Sequence, residues 1–190
     1  MKMLEQLQEA QKKIAVTGGS GEPVSMETAS AQINKLLSEV AAKGKKIIFI
    51  GNGGSAAISS HMAVDFWKNG EVEAVAFNDA SLLTCISNDY SYEEVFAKPV
   101  EKFAKAGDLF VPISSSGKSK NILRGTEAAR AVGCRVVSFS GFQPVNPLRK
   151  MGELNFYVPS TSYGVVESLH LAILHALLEG YMGRPPGSAR

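Results

Sequence analysis

The sequence predicts a three-layer α/β fold: a doubly wound, five-stranded parallel sheet of the Rossmann or flavodoxin kind, with helices ahead of it at the N-terminus. Three observations carry this. From residue 45 onward, short β-branched runs alternate with helical stretches. Each run is almost continuously apolar, as strands covered on both faces are. Two of the strand-to-helix junctions, GNGGS and SSGKS, are turns rich in Gly and Ser, and ligands of such sheets bind beyond the carboxyl ends of the strands.

The elements follow in order. Residues 2–14 read as a first helix, ended by the loop VTGGSGEPVS. Ser25 or Thr28 caps a second helix that runs to about Ala42, with Ile33, Leu36, Leu37 and Val40 on one face. Gly44 ends it. KIIFI is the first strand of the α/β pattern, AAISSHMAVDFWKNG a helix and VEAVAF a strand. SLLTCIS reads as helical, and YEEVFAKPVEKFAKAG as a helix containing a Pro. DLFVPIS is a strand, KNILRGTEAARAVG a helix, and CRVVSFSG and ELNFYVP are strands. VVESLHLAILHALLEGYM is a long last helix. No repeat or linker divides the chain, so residues 1–190 are expected to form one domain. The helices within residues 1–44 precede the α/β pattern and are assigned to assembly.

Composition excludes several classes. The net charge is +2 over 190 residues, with both signs interspersed. That gives no basis for a nucleic acid or a membrane surface as partner. No apolar run is long enough to span a bilayer, and the polar N-terminus lacks the core of a signal peptide, so a cytoplasmic location is expected. Cys85 and Cys134 are isolated and are expected to be buried, reduced thiols.

Gly51-Asn52-Gly53-Gly54-Ser55 lies directly between a strand and a helix. Glycines allow the backbone to approach a ligand, and the helix offers free N–H groups and the positive end of its dipole. A dinucleotide fingerprint is excluded, because its third glycine position is Ala56. Ser114, Ser115, Ser116 and Ser119 lie between another strand and helix, a donor-rich cup for phosphate oxygens. Gly117-Lys118-Ser119 resembles the end of a nucleotide-binding loop, but Pro112 stands where that loop needs its first Gly. No nucleotide cofactor is expected. The alternative for both turns is purely structural: a tight junction and a serine-rich cap.

All three histidines lie on two helices near carboxylates. His61 and Asp65 are one helical turn apart and share a face. Glu167, His170 and His175 lie on the last helix. A neutral His beside an acid moves protons near neutral pH, and His with carboxylate holds zinc. His170 is read instead as a core histidine satisfied by a nearby acid. Glu167 and His175 are roughly 12 Å apart along an ideal helix axis, so one ion reaches both only if the side chains lean together or a neighbouring subunit contributes.

The segments IGNGGSAA…SHMAVDF, ISNDYSYEEVF, ISSSGKSKNI and YGVVESLHLAILH resemble the sugar isomerase (SIS) family, and within it the phosphoheptose isomerases, over roughly Ile33 to Met182. The resemblance implies an SIS domain that isomerises sedoheptulose 7-phosphate to a heptose 7-phosphate through an enediol, for surface polysaccharide synthesis. It implies phosphate binding by Ser114, Ser115, Ser116 and Ser119, and sugar contacts from the first turn (Asn52, Gly53, Gly54, Ser55) and from Asn88 and Asp89. It implies Asp65 and His175 as base and acid, Zn2+ on His61, Asp65, Glu167 and His175, and homotetramers with sites between subunits. The chain departs from the family pattern: Asp65 replaces Glu, Glu167 replaces Gln, Gly164 replaces Asp, and the loop VTGGSGEPVS is unlike the usual start. The same resemblance admits a non-catalytic or replication-regulating SIS protein, and an isomerase of another ketose phosphate.

Overall fold

A computed structural model describes residues 1–183; the end of the expected domain, residues 184–190, lies outside the described residues. The chain opens with α1 (Lys2–Gln11), then β1 (Ala15–Gly18) and β2 (Pro23–Val24), then α2 (Met26–Ala42). The α/β part runs β3 (Ile47–Gly51), α3 (Gly54–Asn69), β4 (Ala74–Ala76), α4 (Ala80–Asp89), α5 (Ala97–Phe103), β5 (Leu109–Ser114), α6 (Lys120–Val132), β6 (Arg135–Gly141), β7 (Leu154–Val158) and α7 (Tyr163–Tyr181). A 3-10 turn, Tyr92–Glu94, precedes α5, and another, Pro147–Lys150, follows β6. Pro99 sits in the first turn of α5, where a missing N–H breaks no helical bond.

The sheet order is β2-β1-β7-β6-β5-β3-β4. The pairs β4–β3, β3–β5, β5–β6 and β6–β7 are parallel, which gives the five parallel strands expected. Within them the order 2-1-3-4-5 is the flavodoxin arrangement, and it reverses between β3 and β5. Among the described residues the sheet has seven strands, because residues expected to be a loop fold into the hairpin β1–β2. The hairpin pairs antiparallel with β7 through Ala15↔Tyr157 to Gly18↔Leu154. Backbone hydrogen bonds hold it; only Val16 and Gly18 of β1 are buried.

Strand residues alternate between two apolar layers. Ile47 and Phe49 face α2, α3 and α7, where they meet Ile33, Leu37, Phe66 and Leu174. Ile48, Ile50 and Phe110 face the other side, against Phe96, Val100 and Ile122. The predicted face of α2 (Ile33, Leu36, Leu37, Val40) is wholly buried, and Ser25 caps the helix by accepting from Thr28 N at 3.1 Å. Cys134 is buried as expected, but Cys85 is exposed; α4 buries none of its residues. Among the described residues no helix is long and apolar enough to cross a membrane.

Candidate active site

The turns after β3 and β5 meet at the reversal of strand order, where the two strands pair at Gly51↔Ile113. Gly53 begins α3 at φ +54°, ψ −122°, a conformation that only glycine adopts without strain. Between the turns is a cavity of about 120 Å³ lined by Asn52, Ser55, Ser114, Ser115, Ser116 and Ser119, with Ile113 at its back and Tyr163 and Glu167 of α7 completing it. The N-termini of α3 and α6 both open on it, which suits an anion.

The serine turn is held from within and from one side. Ser114 Oγ accepts from Gly117 N at 3.2 Å, and Ser116 Oγ accepts from Lys118 N at 3.2 Å. Leu148 N donates to Gly117 O at 3.3 Å. Among the described residues the buried Ser115 Oγ has no hydrogen-bond partner. A buried hydroxyl without a partner is costly; Ser115 lines the cavity, while its Oγ is itself closed off from solvent.

Along the same two helices lies a second group. Asp65 Oδ2 is 3.4 Å from His61 Nε2 and 3.6 Å from His175 Nδ1, and the two histidine Nε2 atoms are 3.3 Å apart. Asn69 Nδ2 donates to Asp65 Oδ1 at 3.3 Å. One ligand atom from each of His61, Asp65 and His175 falls within 4.8 Å of the others, so the three can hold a metal ion. Two imidazoles and a carboxylate are a donor set that zinc accepts.

The structure separates some residues that the sequence groups. Glu167 is not in this cluster; its carboxylate lies against Gly54 at the start of α3 and faces the serine cavity. Gly54 and Glu167 meet at one end, and His61 and His175 meet further along, so α3 and α7 run side by side in the same direction from cavity to cluster. Asn88 and Asp89 end α4 in solvent, bonded to each other at 2.9 Å, and line no part of the cavity. His170 is buried, as a core histidine should be, but it bonds the Ser140 carbonyl at 3.0 Å and no acid. Burial pushes its imidazole down to about 4.

Sequence reasoning missed Tyr163, Tyr92 and Asn121. Tyr163 rests edge-on against Phe142, with ring centroids 4.8 Å apart. Tyr92 and Asn121 both bond Asn52. No local pattern marks such partners; only the fold brings them together.

The description "SIS domain" belongs to a family model that matches residues 24–141, a stretch containing both cavity turns. A phosphoheptose isomerase of Fusobacterium nucleatum is 34% identical over 154 residues, covering 78% of this chain and 79% of its own. One from Akkermansia muciniphila is 35% identical over 78% of this chain and 81% of its own. The solved structure of phosphoheptose isomerase GmhA from Neisseria gonorrhoeae superposes with a TM-score of 0.79 at 30% identity, covering 94% of this chain and 92% of that one. Many sequences share a fold, but relatives matched at this identity over most of both chains share ancestry as well: the protein belongs to the SIS domain family.

Proposed function

We propose that the protein is an aldose–ketose isomerase of sugar phosphates, acting on sedoheptulose 7-phosphate. The observation that carries the reading is the alignment of two sites along α3 and α7. An anion cup with an unpartnered buried hydroxyl, Ser115 Oγ, stands at one end, and the Asp65–His175 pair stands about two helical turns along. The relatives named phosphoheptose isomerase support the substrate.

The phosphate sits among Ser114, Ser115, Ser116 and Ser119 at the two helix N-termini. The sugar passes Asn52, Gly53, Gly54 and Ser55 and reaches Asp65 with its carbonyl end. Asp65 Oδ2 takes a proton from C1, and His175 gives one to the C2 oxygen, which makes the enediol. The proton then returns at C2 while His175 recovers the proton of the C1 oxygen. Asn69 steadies the other oxygen of Asp65. His61, Asp65 and His175 would hold Zn2+, which when bound supplies Lewis-acid polarisation of substrate oxygens. His61 and His175 are part-exposed, with 51% and 38% of their side-chain surfaces accessible. A second copy in a homotetramer would close over them, in keeping with the family resemblance. A cytoplasmic location fits a phosphorylated substrate.

The test is purified protein with sedoheptulose 7-phosphate, with aldose phosphate followed by NMR before and after chelation and zinc addition. Aldose should appear, fade on chelation and return with zinc. A chain that binds the sugar phosphate without converting it overturns the isomerase reading.

A further inference from the structure

Asn52, in the turn after β3, and Asn121, in the first turn of α6, are 69 residues apart, and their carboxamides pair reciprocally. Asn52 Nδ2 donates to Asn121 Oδ1 at 2.9 Å, and Asn121 Nδ2 donates to Asn52 Oδ1 at 2.8 Å. A backbone group fixes which way round the amides lie. Ile122 N, which can only donate, bonds Asn121 Oδ1 at 3.0 Å. Asn121 therefore presents its Nδ2 to the oxygen of Asn52. The Tyr92 hydroxyl also reaches that oxygen, at 3.1 Å. A carboxamide oxygen has two lone pairs and its nitrogen two hydrogens. Both lone pairs of Asn52 are thus engaged and one N–H remains, on a side chain that lines the serine cavity.

Tyr92 is held in place by its own neighbours. Glu93 accepts from Lys120 Nζ at 2.8 Å, and Glu94 accepts from Arg124 at 3.0 Å. Three consecutive residues thus tie the turn 92–94 to the first turn and to α6. Asn121 is buried, at 3% exposure, and Asn52 is half-buried, so the pair is partly shielded from water.

We infer that Asn121 and Tyr92 are positioning residues that hold Asn52 as a hydrogen-bond donor only, directed at an acceptor oxygen of the sugar phosphate; this rests on the cavity being the sugar-phosphate site, as proposed above. The pair also couples the sugar-side turn to the helix that carries the phosphate turn.

The test is a double-mutant cycle in the full chain. Asn121→Asp still accepts from Ile122 N and Asn52 Nδ2, but it has no N–H for Asn52 Oδ1. It should lower kcat/KM for sedoheptulose 7-phosphate by about 10- to 100-fold. The added charge should also weaken inorganic phosphate binding, as the Glu167 carboxylate does, so the loss in kcat/KM must exceed the loss in phosphate affinity to count for the pair. In an Asn52→Ala background the same change should cost kcat/KM no more than it costs phosphate affinity, because beyond its charge the residue acts through Asn52. Tyr92→Phe, at an exposed position that does not threaten folding, should show a smaller loss that also vanishes in that background. A full effect in the Asn52→Ala background, or unchanged kcat/KM in Asn121→Asp, overturns the inference. If the wild-type chain does not turn over, the isomerase reading falls and the same cycle is read in Kd for the sugar phosphate. The Asn52 side-chain amide resonances of ligand-free protein report the clasp without any substrate: they should move in Asn121→Asp and Tyr92→Phe, and resonances that stay put overturn it.

Discussion

The carboxylate of Glu167 occupies the space that a β-carbon on Gly54 would need, so the last helix presses an acid onto the glycine turn that opens α3. The carboxylate therefore faces the serine cavity and works against an anion there. Glu167→Gln keeps the shape and removes the charge. It should tighten inorganic phosphate binding by about 5- to 10-fold, measured by calorimetry. Unchanged or weaker binding would place the phosphate away from Glu167.

Ser115 gives a separation of stability from affinity. Its hydroxyl is buried and has no partner among the described residues, so Ser115→Ala removes a penalty and should raise unfolding stability by about 1 kcal/mol. The same change should weaken sugar-phosphate binding by about 5- to 10-fold, because the ligand loses a donor. Urea unfolding and calorimetry on one preparation check both. Lower stability together with unaltered affinity would mean that the hydroxyl serves the fold.

The cluster of His61, Asp65 and His175 separates from the cavity in the same way. His61→Ala should weaken zinc binding by at least about 100-fold, because one of the three ligands is lost. Glu167→Gln should leave zinc binding within about twofold, since Glu167 lies outside the group. His175→Ala should reduce turnover by about 1,000-fold while phosphate affinity holds, because the group that exchanges protons with the sugar oxygens is gone. Zinc titration of the three variants and their turnover by NMR decide; turnover that survives His175→Ala removes that residue from the chemistry.

Much of this was legible in the residues, and what was not has a physical reason. Ile33, Leu36, Leu37 and Val40 announce their face because helical packing demands that spacing. The parallel strands are apolar throughout because both their faces are covered. The hairpin β1–β2 was invisible because Gly, Ser and Pro dominate it and its attachment to β7 is made by backbone groups, which every residue carries. In the site, His61 and Asp65 could be paired from one helix. Glu167 could not be assigned to the glycine turn, because that depends on the direction in which α7 lies beside α3. The Asn52–Asn121 pair leaves no trace in the sequence, since either residue alone reads as an ordinary turn or helix-start asparagine.

His170 offers a prediction about the fold itself. It is fully buried, bonds Ser140 O through Nε2, and has no partner for Nδ1 among the described residues. Burial holds its imidazole at about 4, against an ordinary value of 6.5, although the Ser140 bond opposes the shift. Above 6.5 the residue is neutral in both the folded and the unfolded chain and contributes no pH dependence. As pH falls from 6.5 toward 4, the unfolded chain takes up a proton that the folded chain refuses. Stability should therefore drop by up to about 3 kcal/mol over that window and show no further His170 contribution below it. His170→Gln keeps an N–H for the Ser140 carbonyl and does not titrate. Urea unfolding at steps between pH 7.5 and pH 4.5 should show a shallower fall for this variant than for the wild type. Parallel curves would mean that the acid sensitivity of the fold arises elsewhere.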